Sequence, residues 1–103
     1  MAGTEEALRQ LEGAWVSDPN DAETQREFGR VTQIFKPDGQ LTYIAHSAAK
    51  DEVMLLTYRV EGDQIVTDQP SSPSEYRTKF RFEPGGALVL DDSGQQFRFV
   101  RKR

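Results

Sequence analysis

The chain contains no cysteine. Disulfides, thiolate nucleophiles, Cys-ligated zinc and iron–sulfur clusters are excluded together. A single histidine, His46, argues against a multi-histidine metal site and against a histidine-based triad. No apolar run approaches the roughly 18 residues of a membrane span. The start Met1-Ala2-Gly3-Thr4-Glu5-Glu6 lacks the basic and apolar stretches of a signal peptide, so the default expectation is a cytoplasmic protein. A net charge of −4 gives no support for a nucleic-acid partner. No cofactor and no metal are expected from this inventory, and no catalytic residue stands out.

What is present points to a folded domain. The 103 residues suffice for one domain, spanning 1–103, and six Phe, three Tyr and one Trp argue against disorder. Charge is unevenly spread. Residues 1–68 hold six basic against thirteen acidic side chains, whereas residues 69–103 hold seven against four. The basic excess comes from Arg77, Lys79, Arg81 and the terminal Arg98–Arg103 segment.

Thr4 to Leu11 reads as a short helix, with Thr4 as N-cap, Glu5 and Glu6 at the positive end of the dipole, and Gly13 as the stop. Ser17–Ala22 reads as loop, and from Glu27 onward the pattern is alternation broken by turn residues. Phe35-Lys36-Pro37-Asp38-Gly39-Gln40-Leu41 suits a type I turn with a bulge and pairs Phe35 with Leu41. Phe82–Leu88 repeats it and pairs its two ends. Gly62-Asp63 and Ser93-Gly94 form two-residue hairpins that pair Val60 with Ile65 and Leu90 with Phe97. Eight strands result: Ala14–Ser17, Glu27–Lys36, Gln40–His46, Glu52–Glu61, Gln64–Asp68, Glu75–Glu83, Ala87–Asp91 and Gln95–Lys102. Open edges in such a meander are removed by closure. The fold class is therefore all-β, an eight-stranded antiparallel up-and-down β-barrel with a short N-terminal helix plugging one end through Leu8 and Leu11.

Leu11-Glu12-Gly13-Ala14-Trp15 is similar to the Gly-x-Trp signature that opens the lipocalin and fatty-acid-binding group, where it follows a short helix and begins the first strand. With the Phe35–Gly39 turn and a basic closing strand, the chain resembles small bacterial lipocalin-like domains of the calycin superfamily. The resemblance implies that an arginine late on the last strand packs over the tryptophan at the closed end. Arg98 and Arg101 are the matching positions, and with Gly13 and Trp15 they form a structural signature.

Alternation places Tyr43, Tyr58, Thr67, Tyr76 and Thr78, together with Gln33, on the inner face. Hydroxyls in one layer need partners, so they form either a packed internal network or the lining of a site. The expected partner is a small hydrophobic or aromatic molecule. A second reading is an interaction module that binds through the barrel exterior, or a homodimer, because Val53-Met54-Leu55-Leu56 is apolar on both faces. A third is a small lyase or isomerase using tyrosine hydroxyls and His46, with Asp51 or Glu52 orienting the imidazole. The doublets Asp51-Glu52 and Asp91-Asp92 point their members to opposite strand faces, which argues against a carboxylate dyad.

Overall fold

The structure, a computed structural model, describes the backbone of residues 2–102 and the side chains of residues 5–102. Helix α1 (Ala2–Leu11) leads into β1 (Gly13–Ser17), followed by α2 (Ala22–Phe28). The remaining strands are β2 (Arg30–Phe35), β3 (Gln40–His46), β4 (Asp51–Glu61), β5 (Gln64–Asp68), β6 (Tyr76–Phe82), β7 (Leu88–Asp92) and β8 (Gln95–Arg101). All neighbours are antiparallel, and β8 pairs with β1 to close the barrel in simple chain order. Among the described residues no helix is long and apolar enough to cross a membrane.

The turns set the register. At Lys36–Gln40 the Lys36 N–H donates to Gln40 O (2.9 Å) and the Gly39 N–H to Lys36 O (3.1 Å). Gly39 has φ +91°, the left-handed residue that a type I turn with a bulge requires. Glu83–Ala87 repeats these bonds with Gly86 at φ +96°. The expected cross-strand pairs follow: Phe35 with Leu41, Val60 with Ile65, Phe82 with Leu88, and Leu90 with Phe97.

The inner layer is Trp15, Val31, Phe35, Leu41, Tyr58, Ile65, Phe80, Leu88, Leu90, Phe97 and Phe99, all buried. Full burial of each large apolar side chain stabilises the fold by about 1.5–3 kcal/mol. Leu11 of α1 is fully buried against this layer, with Leu8 packed beside it, so the helix plugs the barrel end as expected. The helix begins at Ala2 rather than at Thr4, so Thr4 lies within it instead of capping it.

One expectation is corrected. Ala22–Phe28 is helical, so the second strand begins at Arg30 rather than at Glu27. Asp21 caps α2, accepting the Thr24 N–H at 3.3 Å, and Gly29 ends it at φ +67°. The Thr24 hydroxyl also donates to Asp21 and accepts the Arg98 N–H at 2.7 Å, tying the helix to β8. Thr24 is fully buried there.

The two halves of the outer surface differ. On β4–β6, Arg59, Glu61, Glu75 and Arg77 form a lattice of ion pairs, including Arg59 Nε–Glu61 at 2.6 Å and Arg77 Nη1–Glu61 at 2.8 Å. Val66 stands opposite both Arg59 and Arg77 and is 1% exposed, consistent with their aliphatic stems covering it. On β2–β4 the outward face instead carries Ile34, Ile44, Val53 and Leu55 among threonines and the His46–Asp51 pair.

Candidate functional site

The closed end is built first. The Arg101 guanidinium lies over the Trp15 ring, 4.1 Å from its centroid, within cation–π range. Of the two candidate arginines, Arg101 holds this position. Its Nη2 donates to Gln10 O at 2.7 Å and its Nη1 donates to Glu12 O. A cation thereby caps the carbonyl end of α1, where the helix dipole is negative. The Trp15 Nε1–H donates to Leu11 O at 2.8 Å. Gly13 has φ +116°, and a Cβ there would lie 2.6 Å from Arg101 Nη1. The Gly-x-Trp spacing thus provides a residue able to pass under the guanidinium and a ring to receive it. Arg98 works elsewhere: its Nε pairs with Asp18 at 2.9 Å and its Nη1 with Glu83.

At the other end the barrel encloses a cavity of about 210 Å³. Its apolar lining is Phe28, Phe35, Leu41, Leu56, Ile65, Leu90 and Phe97, and its polar lining is Gln33, Tyr43, Thr67, Tyr76, Thr78 and Asp92. Strand parity explains the selection. Tyr43 stands beside Gln33, Thr67 beside Tyr76, and Thr78 beside Ile65, all on the inner face of adjacent strands. Phe28, at the end of α2, packs edge-on against Phe97 (4.8 Å) and Phe99 (5.7 Å) and forms part of the wall.

Four of the five expected inner polar residues, Tyr43, Thr67, Tyr76 and Thr78, therefore meet at this cavity. Tyr58 does not. It lies deeper, edge-on to Phe35 at 5.0 Å, and its hydroxyl donates to Lys36 O at 2.7 Å. Burial, with Glu12 and Asp38 nearby, pushes the Tyr58 phenol up to about 12. Two wall residues were not foreseen, Phe28 and Asp92. Phe28 was hidden by the missed helix. Asp92 continues the inward phase of Leu88 and Leu90, so the same alternation reaches it.

Besides a 3.4 Å donation from Ser93 Oγ to Asp92, two hydrogen bonds within the protein involve the cavity's polar side chains. The Tyr76 hydroxyl donates to Asp92, and the Thr67 hydroxyl reaches Tyr76 O at 3.4 Å. The Asp92 bond raises the Tyr76 pKa above that of a free phenol, and burial raises that of Tyr43. Among the described residues, the Gln33 amide and the Tyr43 and Thr78 hydroxyls bond to no other side chain. Among the described residues no buried side-chain polar atom is orphaned, and these three groups line the cavity, so they look onto its open space.

His46 is on the outer face and outside this lining. Its Nε2 is 2.8 Å from the Thr32 hydroxyl and its Nδ1 is 3.1 Å from Asp51 Oδ1. Asp51 is indeed its neighbour, but the pair is separated from the tyrosines by the thickness of the sheet. No group of three or more metal-ligating side chains occurs among the described residues. Comparisons with family models, with curated proteins and with solved structures find no match to this chain.

Proposed function

We propose that the chain is a lipocalin-like binding protein that takes one small, partly polar aromatic molecule into the open end of its barrel. The observation that carries this reading is the cavity's division of labour. An apolar wall of Phe28, Phe97, Leu56 and Ile65 surrounds the volume, while Gln33, Tyr43 and Thr78 keep hydrogen-bonding capacity unspent. A filled core would have consumed or excluded those groups. Asp92 adds an acceptor at the rim, which favours a ligand bearing a hydroxyl or protonated amine. The volume falls below the ~300–1,000 Å³ of sites for drug-sized molecules, so the expected occupant is of single-ring or fused-ring size.

The test is a thermal-shift screen against phenols, indoles and aromatic amines, followed by calorimetric titration. A ligand at about 100 times its Kd adds about 2.7 kcal/mol, which for a domain of this size raises Tm by roughly 10 °C or more. Thr78→Phe, which projects a ring into the cavity, should abolish the shift while the apo protein remains folded by circular dichroism. Equal shifts for wild type and Thr78→Phe would place any binding elsewhere and overturn the reading.

A further inference from the structure

Closure of the barrel leaves the start of β4 without a strand partner on one side. β4 pairs with β3 from Asp51 to Thr57, but its pairing with β5 begins only at Thr57 opposite Asp68. Residues 51–55 therefore have β3 on one side and, among the described residues, no strand on the other. Hydrogen-bond parity identifies the free groups. The Tyr58 N–H donates to Gly39 O, toward β3, so even-numbered residues of β4 serve β3. Thr57, Arg59 and Glu61 serve β5, which leaves the N–H and C=O of Val53 and Leu55 pointing to the vacant side.

Leu55 at 69% and Val53 at 61% are the most exposed large apolar side chains described, and Met54 between them is 42% exposed. Exposed edges are normally guarded by Lys, Pro or a bulge. Val53-Met54-Leu55 has none of these. Ile44, opposite Val53, extends the apolar surface onto β3.

We propose that this edge pairs with the same edge of a second copy of the chain, antiparallel about a two-fold axis at Met54. Only an odd-to-odd pairing joins the free groups, and centring on Met54 sets Val53 against Leu55 of the second copy, twice. Each such pair exchanges two main-chain hydrogen bonds, giving four across the axis. The same register places Glu52 opposite Leu56, so no acid faces an acid, and the new pairing ends where Thr57 already meets Asp68 of β5. A shift of the axis to Val53 would set Asp51 against Leu55 and lose that match. The segment is thus complementary to itself in both hydrogen bonding and apolar contact, as an isologous interface requires.

Sedimentation of the intact chain tests the association, and a single introduced cysteine tests the register. The interface is small, so dimer should appear over roughly 10 µM to 1 mM. Leu55→Lys should shift the protein to monomer across that range with an unchanged far-UV spectrum. In the proposed register the two Met54 residues form a non-hydrogen-bonded pair, with Cα atoms about 4.5 Å apart, inside disulfide reach. Because the chain has no other thiol, Met54→Cys should oxidise to a disulfide-linked dimer at least tenfold faster than Ser72→Cys or Val53→Cys. A chain that stays monomeric to 1 mM, or a Met54→Cys thiol that links no faster than the Ser72→Cys control, overturns the proposal. A monomer that instead captures an extended peptide along β4 overturns it as well.

Discussion

Gly13 and Arg101 stand in contact across the whole length of the chain, and each constrains the other. A methyl at position 13 meets the guanidinium at 2.6 Å and must also adopt φ +116°, a conformation that L side chains rarely take. Gly13→Ala is expected to destabilise by about 1–3 kcal/mol in urea denaturation. Arg101→Ala should lose a comparable amount through the Trp15 contact and the carbonyls of Gln10 and Glu12. The double variant should cost less than the sum, since displaced arginine is already part of the Gly13→Ala penalty. Tyr58 gives a pH prediction at the same scale. Its phenol is held at about 12 in the fold against an ordinary value of 10. The unfolded chain releases this proton first, so the stabilisation is intact below pH 10 and is lost as pH rises through about 12. Tyr58→Phe should flatten that part of the alkaline unfolding curve, measured by urea midpoint between pH 9 and pH 12.

Among the elements, α2 joins the cavity wall to the β8 seam with only seven residues. Its seven residues bring Phe28 to the cavity wall, and its hold on the barrel runs through Asp21 and Thr24. Asp21→Ala removes the cap and should cost about 1 kcal/mol. The expected signature is local: faster hydrogen exchange at Thr24 and at the Arg98 amide, and weaker ligand retention, with β3–β4 amides little changed. This element was also the one the sequence concealed. Asp21, Glu23 and Gly29 are proper helix signals, but they enclose only two turns and run directly into the alternation of Val31, Gln33 and Phe35. The hairpins were legible because Pro37-Asp38-Gly39 and Pro84-Gly85-Gly86 leave the backbone few alternatives, and turn geometry fixes strand phase. The candidate site followed from that phase for Tyr43, Thr67, Tyr76 and Thr78. Tyr58 shares their phase but lies nearer the closed end, and depth along a barrel depends on stagger between strands, which alternation along one strand does not encode.

At the scale of the whole molecule, every seam but one joins neighbours in sequence. The β1–β8 seam closes a loop of more than eighty residues through only three registered pairs, Trp15–Arg101, Val16–Val100 and Ser17–Phe99. Loop closure grows costlier with length, so this seam bears the largest entropic cost of any in the barrel. Side chains reinforce it at both ends. Arg101 clamps α1 and Gly13 at one end, while at the other Arg98 pairs with Asp18 and its amide is held by Thr24. The structural role assigned to these arginines by resemblance to a barrel signature thus has a physical source: they fasten the one non-local contact on which closure depends. Removal of a fastener should open this seam before the rest. Arg98→Ala is expected to accelerate exchange of the β1 and β8 amides by tenfold or more, equivalent to about 1.4 kcal/mol of local opening. Amides of β3 and β4, joined by seven registered pairs, should change only as global stability changes. Uniform acceleration across all strands would show instead that the barrel opens only by complete unfolding, with no weak seam between its ends.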